Sequence, residues 1–330
     1  PSGWVAPART VRGSDIASTD RARGRLGVGW ALSGTLHLSG PLDKFPFDNG
    51  EGKFLVEASA RGLTMMYQPQ WPPAEQADVE IVLDNMRLYS VRNRSTHAGN
   101  QAVDVEIEIA NLRQPVLTIN GLVTGTLATL QDFGMQSPID NFTGGNLRRL
   151  SLSGDASFGL DLTVPLKNPK ETSIDGLLRS NSGTLTVEGL DAPLTDLIGD
   201  VRITRDQITA ESLGGQFLGD AVEISVGPGD DPQYFAVATA TGAARSRAII
   251  EELGVPVDGL IEGTTAYETR ILFPRGGQLA IAGHRHAGEG GTTSLAGYRV
   301  CLHPQRRSCG AETSTRATRC LRQRERRCDG

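Results

Sequence analysis

The sequence predicts a mainly β protein: an elongated, twisted antiparallel sheet curled into a hydrophobic groove, with short helices between repeat units. Three observations carry that prediction. First, residues 102–110 read AVDVEIEIA, with Val103, Val105, Ile107 and Ile109 on one parity and Asp104, Glu106 and Glu108 on the other. Successive strand side chains point to opposite faces, so this is a strand with one oily and one acidic face. Second, the order of elements recurs. Val79, Ile81, Met86 and Val91 have counterparts in Val201, Ile203, Ile208 and Leu213, an offset of about 122 positions that signals an array. Third, large core formers are sparse, with nine Phe, three Trp and four Met in 330 residues. Small and medium aliphatics suit a broad face better than an interdigitated core.

Residues 1–25 are polar and arginine-rich, a loop with weak strand character. Residues 29–42 read as a strand with Leu36 and Leu38 on one face, stopped by Pro41. FPFDNG at 45–50 is a turn. Lys53 to Tyr67 reads as two strands joined at Arg61-Gly62, with Phe54, Val56 and Ala58 alternating in the first and Leu63, Met65 and Tyr67 in the second. The Trp71-Pro72-Pro73 loop interrupts them. Strands follow at 79–83, 86–91 and 103–109, the first two joined by a tight turn at Asp84-Asn85. After a strand at 116–124, the spacing of Leu127, Leu130 and Phe133 predicts a short helix ending at Gly134. Residues 150–164 return to alternation, with Phe158, Leu160, Leu162 and Val164 on one side, and Pro165 closes them.

In the second copy, Val222-Glu223-Ile224 answers Val103-Asp104-Val105. A short helix at Arg247 to Leu253, followed by Gly254, answers the one near Leu127. Ile261, Gly263, Tyr267, Ile271 and Pro274 answer Leu152, Gly154, Phe158, Leu162 and Pro165. These correspondences divide the chain into the end of a preceding unit (1–42), one unit (43–165), a second unit (166–276) and a tail (277–330).

One short helix per unit cannot cover such a face. Stacking units edge to edge lengthens sheet and face together, and native twist curls the sheet around its oily side. The expected trough has its floor at Val79, Ile81, Met86, Leu88, Val103, Val105, Ile107, Ile109, Phe158, Leu160 and Leu162 in one unit. In the next unit the floor falls to Val201, Ile203, Ile208, Val222 and Ile224.

Composition narrows the function. A net charge of -5 and an aromatic fraction of 5% give no footing for nucleic acid. No apolar run approaches the roughly 20 residues of a spanning helix. The chain opens at Pro1 with neither Met nor signal peptide, as expected of a fragment or a processed product. All four cysteines, Cys301, Cys309, Cys320 and Cys328, lie in the tail, so the body folds without disulfides. After Gly276 alternation disappears. The tail holds ten arginines and no lysine. It reads as an out-of-frame stretch or as a basic, disordered tail for an acidic partner.

No catalytic, cofactor or metal constellation emerges. His284-Arg285-His286 and Cys301-x-His303 lack the paired spacing zinc requires. His37 and His97 are isolated, and a lone histidine is more often hydrogen-bonded than catalytic. Asp230-Asp231 sits between Gly229 and Pro232, which is turn chemistry. Phosphate-binding and nucleophile-elbow motifs are absent. Asn93-Arg94-Ser95 and Asn141-Phe142-Thr143 match a glycosylation sequon that is common by chance.

The runs FPFDNGEGKFLVEASARGLTMMYQPQWPPAEQADVEIVLDN, DFGMQSPI and LSLSGDASFGLDLTVPL, and later DAPLTDLIGDVRITRDQITAESLGGQFLG, resemble the YhdP branch of the AsmA-like family. The marks are the W-P-P loop at 71–73, the G-x-x-x-L-x-L-x-V-P-L strand opening at Gly154 and the L-G-G-x-x-x-G turn at 213–219. The resemblance covers residues 26–274 and leaves out the tail. It implies a segment of a periplasmic β-groove whose parent is anchored in the inner membrane of a Gram-negative bacterium by a helix absent here. The floor residues would then carry phospholipid acyl chains toward the outer membrane, with no enzymatic step. Three competing readings are a non-catalytic periplasmic scaffold for outer-membrane biogenesis, an outer-membrane barrel and a carbohydrate-acting β-solenoid. A barrel wants aromatic girdles. A glycosidase wants a carboxylate pair in a cleft.

Overall fold

The computed structural model describes residues 9–12, 31–229, 231–245, 248, 264–276, 279–285 and 298–301. These are mainly antiparallel strands with a few short helices, divided into two compact units.

The first unit comprises residues 1–137 and 157–177. Its strands form a meander: β1 (Arg9–Arg12), β2 (Ala31–Ser39), β3 (Lys53–Met65), β4 (Ala74–Asp84), β5 (Arg87–His97), β6 (Asn100–Ile109) and β7 (Val116–Thr126). Each pairs antiparallel with the next. Helix α1 (Leu127–Met135) follows directly, started by a reciprocal cap. The Thr129 N–H donates to Thr126 Oγ1 at 3.1 Å and the Thr126 N–H donates to Thr129 Oγ1 at 3.0 Å.

Helix α2 (Ile139–Phe142) and strand β8 (Leu150–Ser153) belong to the second unit, which comprises residues 138–156 and 178 onward. Strand β9 (Asp155–Pro165) lies almost wholly in the first unit and pairs with β7. The second unit continues with the end of β10 (Ser173–Val187), then β11 (Leu194–Thr204), β12 (Ile208–Phe217), β13 (Asp220–Gly227), β14 (Tyr234–Arg245), β15 (Thr264–Pro274), β16 (Ala280–Arg285) and β17 (Tyr298–Cys301). β8 pairs with β10, and from β10 to β17 each strand pairs with its successor.

In the first unit, register reveals four consecutive bulges. In β3 the Ala60↔Val79 and Leu63↔Ala77 pairs enclose an extra residue at Arg61-Gly62, where Gly62 has φ 63°. β4 carries one at Gln76 (φ 49°), β5 at Arg92 (φ 56°) and β6 at Asp104 (φ 50°). Each inserts one residue and thereby exchanges the faces of everything beyond it.

The bulges correct several expectations. Lys53–Met65 is one strand with a bulge at Arg61-Gly62, not two strands with a turn, and Tyr67 lies beyond its end. Residues 74–78 belong to β4, which therefore starts directly after the W-P-P loop. Val103 pairs with Leu122, whereas Ile107 and Ile109 pair with Ile119 and Leu117. In β7, Leu122 is of the opposite parity to Leu117 and Ile119, so Val103 lies on the face away from Ile107; the extra residue at Asp104 is the cause. Met86 is likewise displaced, because Asp84 pairs with Arg87 and leaves Asn85 and Met86 as the turn. Residues 150–164 divide at Gly154 (φ 109°) into β8 and β9. Strands β10 and β14 have no counterpart in the sequence reading, and β16 and β17 lie where no element was expected. The expected helix at Arg247 to Leu253 lies, Ala248 apart, outside the described residues, as do Gly254, Ile261 and Gly263.

A bulge breaks the ladder and leaves backbone groups to satisfy. The buried Asn93 does so across two strands. Its Oδ1 accepts from the Glu80 N–H of β4 at 3.1 Å and its Nδ2 donates to the Val105 carbonyl of β6 at 2.8 Å. Ser90 Oγ donates to Asn93 Oδ1 at 2.7 Å and also reaches the Glu80 carbonyl. Asn93 is thus a structural residue, and its amide is engaged rather than offered to a glycan. Asn93→Ala strands two backbone groups and is expected to destabilise the first unit by about 2–4 kcal/mol. Urea denaturation measures this, and a loss under about 0.5 kcal/mol, the scatter of an ordinary surface change, would refute the role.

Candidate functional site

The candidate site is the apolar face of the first unit. Cross-strand partners share a face, so the registers assemble it side chain by side chain. Leu36 and Leu38 of β2 face Val56 and Phe54 of β3. Val56 and Ala58 face Leu83 and Ile81 of β4. Leu83 faces Leu88, Leu88 faces Ile109, and Ile109 faces Leu117. Ser90 and Ile107 continue the row to Ile119. On the opposite face run Lys53–Asp84 (2.7 Å), Arg87–Glu108 (2.7 Å) and Arg94–Asp78 (2.5 Å). Asp78 also accepts the Gly62 N–H at 3.0 Å. That bond and then Arg94 hold its carboxyl below the usual range. The Asn120 side-chain amide lies 2.7 Å from Asp161 Oδ1, so Asp161 is on the charged side and its neighbours Leu160 and Leu162 are on the apolar side.

This face is oily without being a closed core. Leu36 and Ile81 are each 40% exposed, and Val56, Leu83, Leu88, Val105, Ile107 and Ile119 are only partly buried. Among these large aliphatic side chains Ile109 is buried.

The two ends of the strands differ. At the α1 end, Leu63, Ala74 and Ala77 form a buried cluster. Trp71 packs on Phe133 of α1 at 5.6 Å, and His97 sits between Tyr67 (5.6 Å) and Phe133 (6.3 Å). Buried Asn100 pins the helix, with Nδ2 donating to the Thr129 carbonyl at 2.8 Å and Oδ1 accepting from Thr129 Oγ1 at 2.7 Å. At the other end, the loops after β2, β4, β6 and β9 are knitted together. Asn85 Nδ2 donates to the Phe47 and Gly52 carbonyls, and the Leu112 N–H to the Met86 carbonyl. Arg113 pairs with Asp48 at 2.5 Å, and Lys167 Nζ donates to the Arg113 carbonyl.

In the second unit, Val201, Ile203 and Ile208 share a face with Val222 and Ile224. There Val222 and Ile224 are fully buried, in a cluster with Leu194, Leu197, Ala238 and Ile271. Two glycines shape it. A Cβ at Gly215 would meet Leu197 Cδ2 at 2.7 Å, and one at Gly242 would meet the Tyr267 hydroxyl at 2.7 Å. Leu197 and the Tyr267 ring therefore lie flat over neighbouring backbone. Burial raises the Tyr267 hydroxyl pKa.

Of the expected floor residues, Val79, Ile81, Leu88, Val105, Ile107 and Ile109 share the first unit's face, Phe158, Leu160 and Leu162 extend it by parity, and Met86 and Val103 leave it. Leu83, Leu117 and Ile119, which the sequence reading did not name, lie on the same face. Their alternation was visible, since each sits in a strand already read. Among the described residues no cluster of three His, Cys, Asp or Glu side chains is placed to hold a metal, and no helix is long and apolar enough to cross a membrane.

A family model described as YhdP protein matches residues 23–281, more than three quarters of the chain. The chain belongs to the YhdP family. The intermembrane phospholipid transporter YhdP of Escherichia coli (strain K12) is 22% identical to it over 268 residues, 81% of this chain and 21% of that relative. The chain spans about one fifth of the length of that YhdP relative. No solved structure matches it. The YhdP match contains the W-P-P loop, the buried Asn93 and all floor residues named above.

His97 gives the α1 end a pH dependence. Burial holds its imidazole below the ordinary range, against an opposing pull from the Glu75 carboxylate. Unfolded, it titrates near ~6.5. The native state is therefore at full strength above that pH and loses stability as pH falls toward the lower folded value. Thermal melts between about pH 7 and pH 5 should show this slope, and His97→Gln should flatten it. An unchanged slope would exclude His97 as its source.

Proposed function

We propose that this YhdP-family segment is a stretch of the path by which phospholipid moves between the inner and outer membranes of a Gram-negative envelope, with acyl chains lying on the apolar face. The surrounding compartment on this reading is the periplasm, the parent protein is membrane-anchored, and no chemical step is catalysed. The observation that carries the reading is the partly exposed row Leu36, Val56, Ile81, Leu83, Leu88, Ile107 and Ile119, on the face opposite the salt bridges. Family membership and the relative's name support it.

Each methylene kept from water contributes about 0.8 kcal/mol, so an acyl chain favours such a surface strongly. Headgroups stay wet at the edge. Affinity then follows chain length and selectivity is low. The units repeat on this reading, so that neighbouring stretches continue the trough.

Ile107→Asp places a charge on the floor. In the full-length context it is expected to cut lipid transfer by about tenfold or more, because a carboxylate there repels an acyl chain. Val103→Asp, on the opposite face, should leave transfer near normal. Both variants are first shown to fold by circular dichroism. Equal transfer by the two would overturn the floor assignment. Lipid extracted from the purified protein should be phospholipid, and a protein free of lipid would favour a scaffold.

A further inference from the structure

The apolar face of the first unit is asymmetric across its width, and we propose that a bound phospholipid lies on it in one orientation, tails toward helix α1 and phosphate toward the loop end. This rests on the lipid-path reading above.

At the α1 end the face runs into a cluster of buried side chains, rimmed by Met66 and Tyr67, which are 48% and 42% exposed. Leu63, Ala74, Ala77 and Ala102 are buried, and Trp71, His97 and Phe133 stack beyond them. The polar groups there carry no fixed charge: Asn100 holds Thr129, the His97 Nε2 meets Ser95 Oγ at 2.8 Å while its buried Nδ1 has no partner, and burial holds the imidazole pKa down. Burial lifts the Tyr67 hydroxyl pKa to about 12, so it stays neutral. A charged headgroup would lose its water there with no countercharge to meet it.

At the loop end the face continues outward instead of closing. Phe54, on the apolar face, carries Phe45 at 5.2 Å, and Phe45 is 50% exposed. Leu42 is 64% exposed, with Leu112 and Leu166 exposed on the adjoining loops. Lysines are interleaved with them: Lys44 beside Phe45, and Lys167 beside Leu166, its Nζ donating one hydrogen bond to the Arg113 carbonyl and leaving two N–H groups of the ammonium. The acids on these loops are mostly engaged. Asp48 is held by Arg113, Glu51 by the Asn49 amide and Glu171 by the Asn168 amide, leaving Asp43. Exposed aliphatic and aromatic side chains mixed with lysines are the chemistry of the boundary between acyl chain and phosphate.

The test uses the unaltered chain and two phosphatidylglycerol probes in vesicles, one with a photoreactive group on the head and one with it at the acyl terminus. Adducts are mapped by mass spectrometry. Head-labelled adducts should concentrate on residues 42–45 and 166–170, and tail-labelled adducts on residues 63–77 and 133. The preference at each end should be about tenfold, which corresponds to 1.4 kcal/mol. The reverse pattern, or equal labelling of both ends by both probes, overturns the orientation while leaving the lipid path standing. Absence of adducts with either probe overturns the lipid path itself.

Discussion

The first unit depends on one constraint: bulges must occur together or not at all. A single extra residue in one strand turns every later side chain to the wrong face. In β3, β4, β5 and β6 the insertions at Arg61-Gly62, Gln76, Arg92 and Asp104 follow one another across the sheet. The far halves of the four strands therefore change parity together, and the apolar face passes through unbroken. Ala77 remains in line with Val79, and Ala102 with Ile107 by way of Val123 and Ile119. Three of the four positions are non-glycine residues at positive φ, each a strain of order 1–3 kcal/mol. Side chains from adjacent strands offset it. Asp78 receives the Gly62 N–H, and Asn93 with Ser90 fills the gap between β4 and β6. Polar groups inside an otherwise oily surface are here the condition for its continuity.

The sequence motifs that mark the family acquire physical roles in this frame. Trp71 of the W-P-P loop is the ring that meets Phe133 of α1. In L-G-G-x-x-x-G, Gly215 leaves room for Leu197, and Gly219 (φ 85°) completes with Leu218 (φ 55°) a two-residue hairpin turn between Phe217 and Asp220. Both turn residues at positive φ give the type whose twist matches the flanking strands. Asn100 sits beside the analogous turn at Ala98 and Gly99 (φ 47° and 84°) and ties it to α1.

Much of the fold was legible as parity. The alternations at 54–58, 103–109 and 158–164 each named a real strand, and the helix at Leu127–Met135 was legible from three apolar positions. What failed did so for identifiable reasons. Val103 continues the alternation of Val105 and Ile107 in the sequence, but Asp104 takes a left-handed conformation that periodicity does not register. Asn85 and Met86 form the turn, since Asp84 still pairs. Strand β14 presents Ala236, Ala238, Ala240 and Gly242 inward, residues too small to register as an oily face, although larger neighbours pack over them. Strand β10 is interrupted in sequence by Ser180-Asn181-Ser182-Gly183 and passes for a loop.

The contrast between units bears on what covers the face. A sheet hydrophobic on one side needs a second layer. In the second unit, Val222 and Ile224 are buried within a cluster of aliphatic and aromatic side chains. In the first, Leu63, Ala74 and Ala77 are buried at the α1 end and burial is partial over Ile81, Leu83, Leu88 and Ile107. The first unit draws its order from ladders, from the bulge-spanning polar side chains and from its two anchored ends, none of which requires that strip to be covered. Its ion pairs lie on the opposite, wetter face, where each contributes little but keeps that face in water. On the proposed reading an acyl chain supplies the missing part of the second layer. It is suited to do so because a flexible chain can be removed and replaced without disturbing the hydrogen bonds that hold the strands.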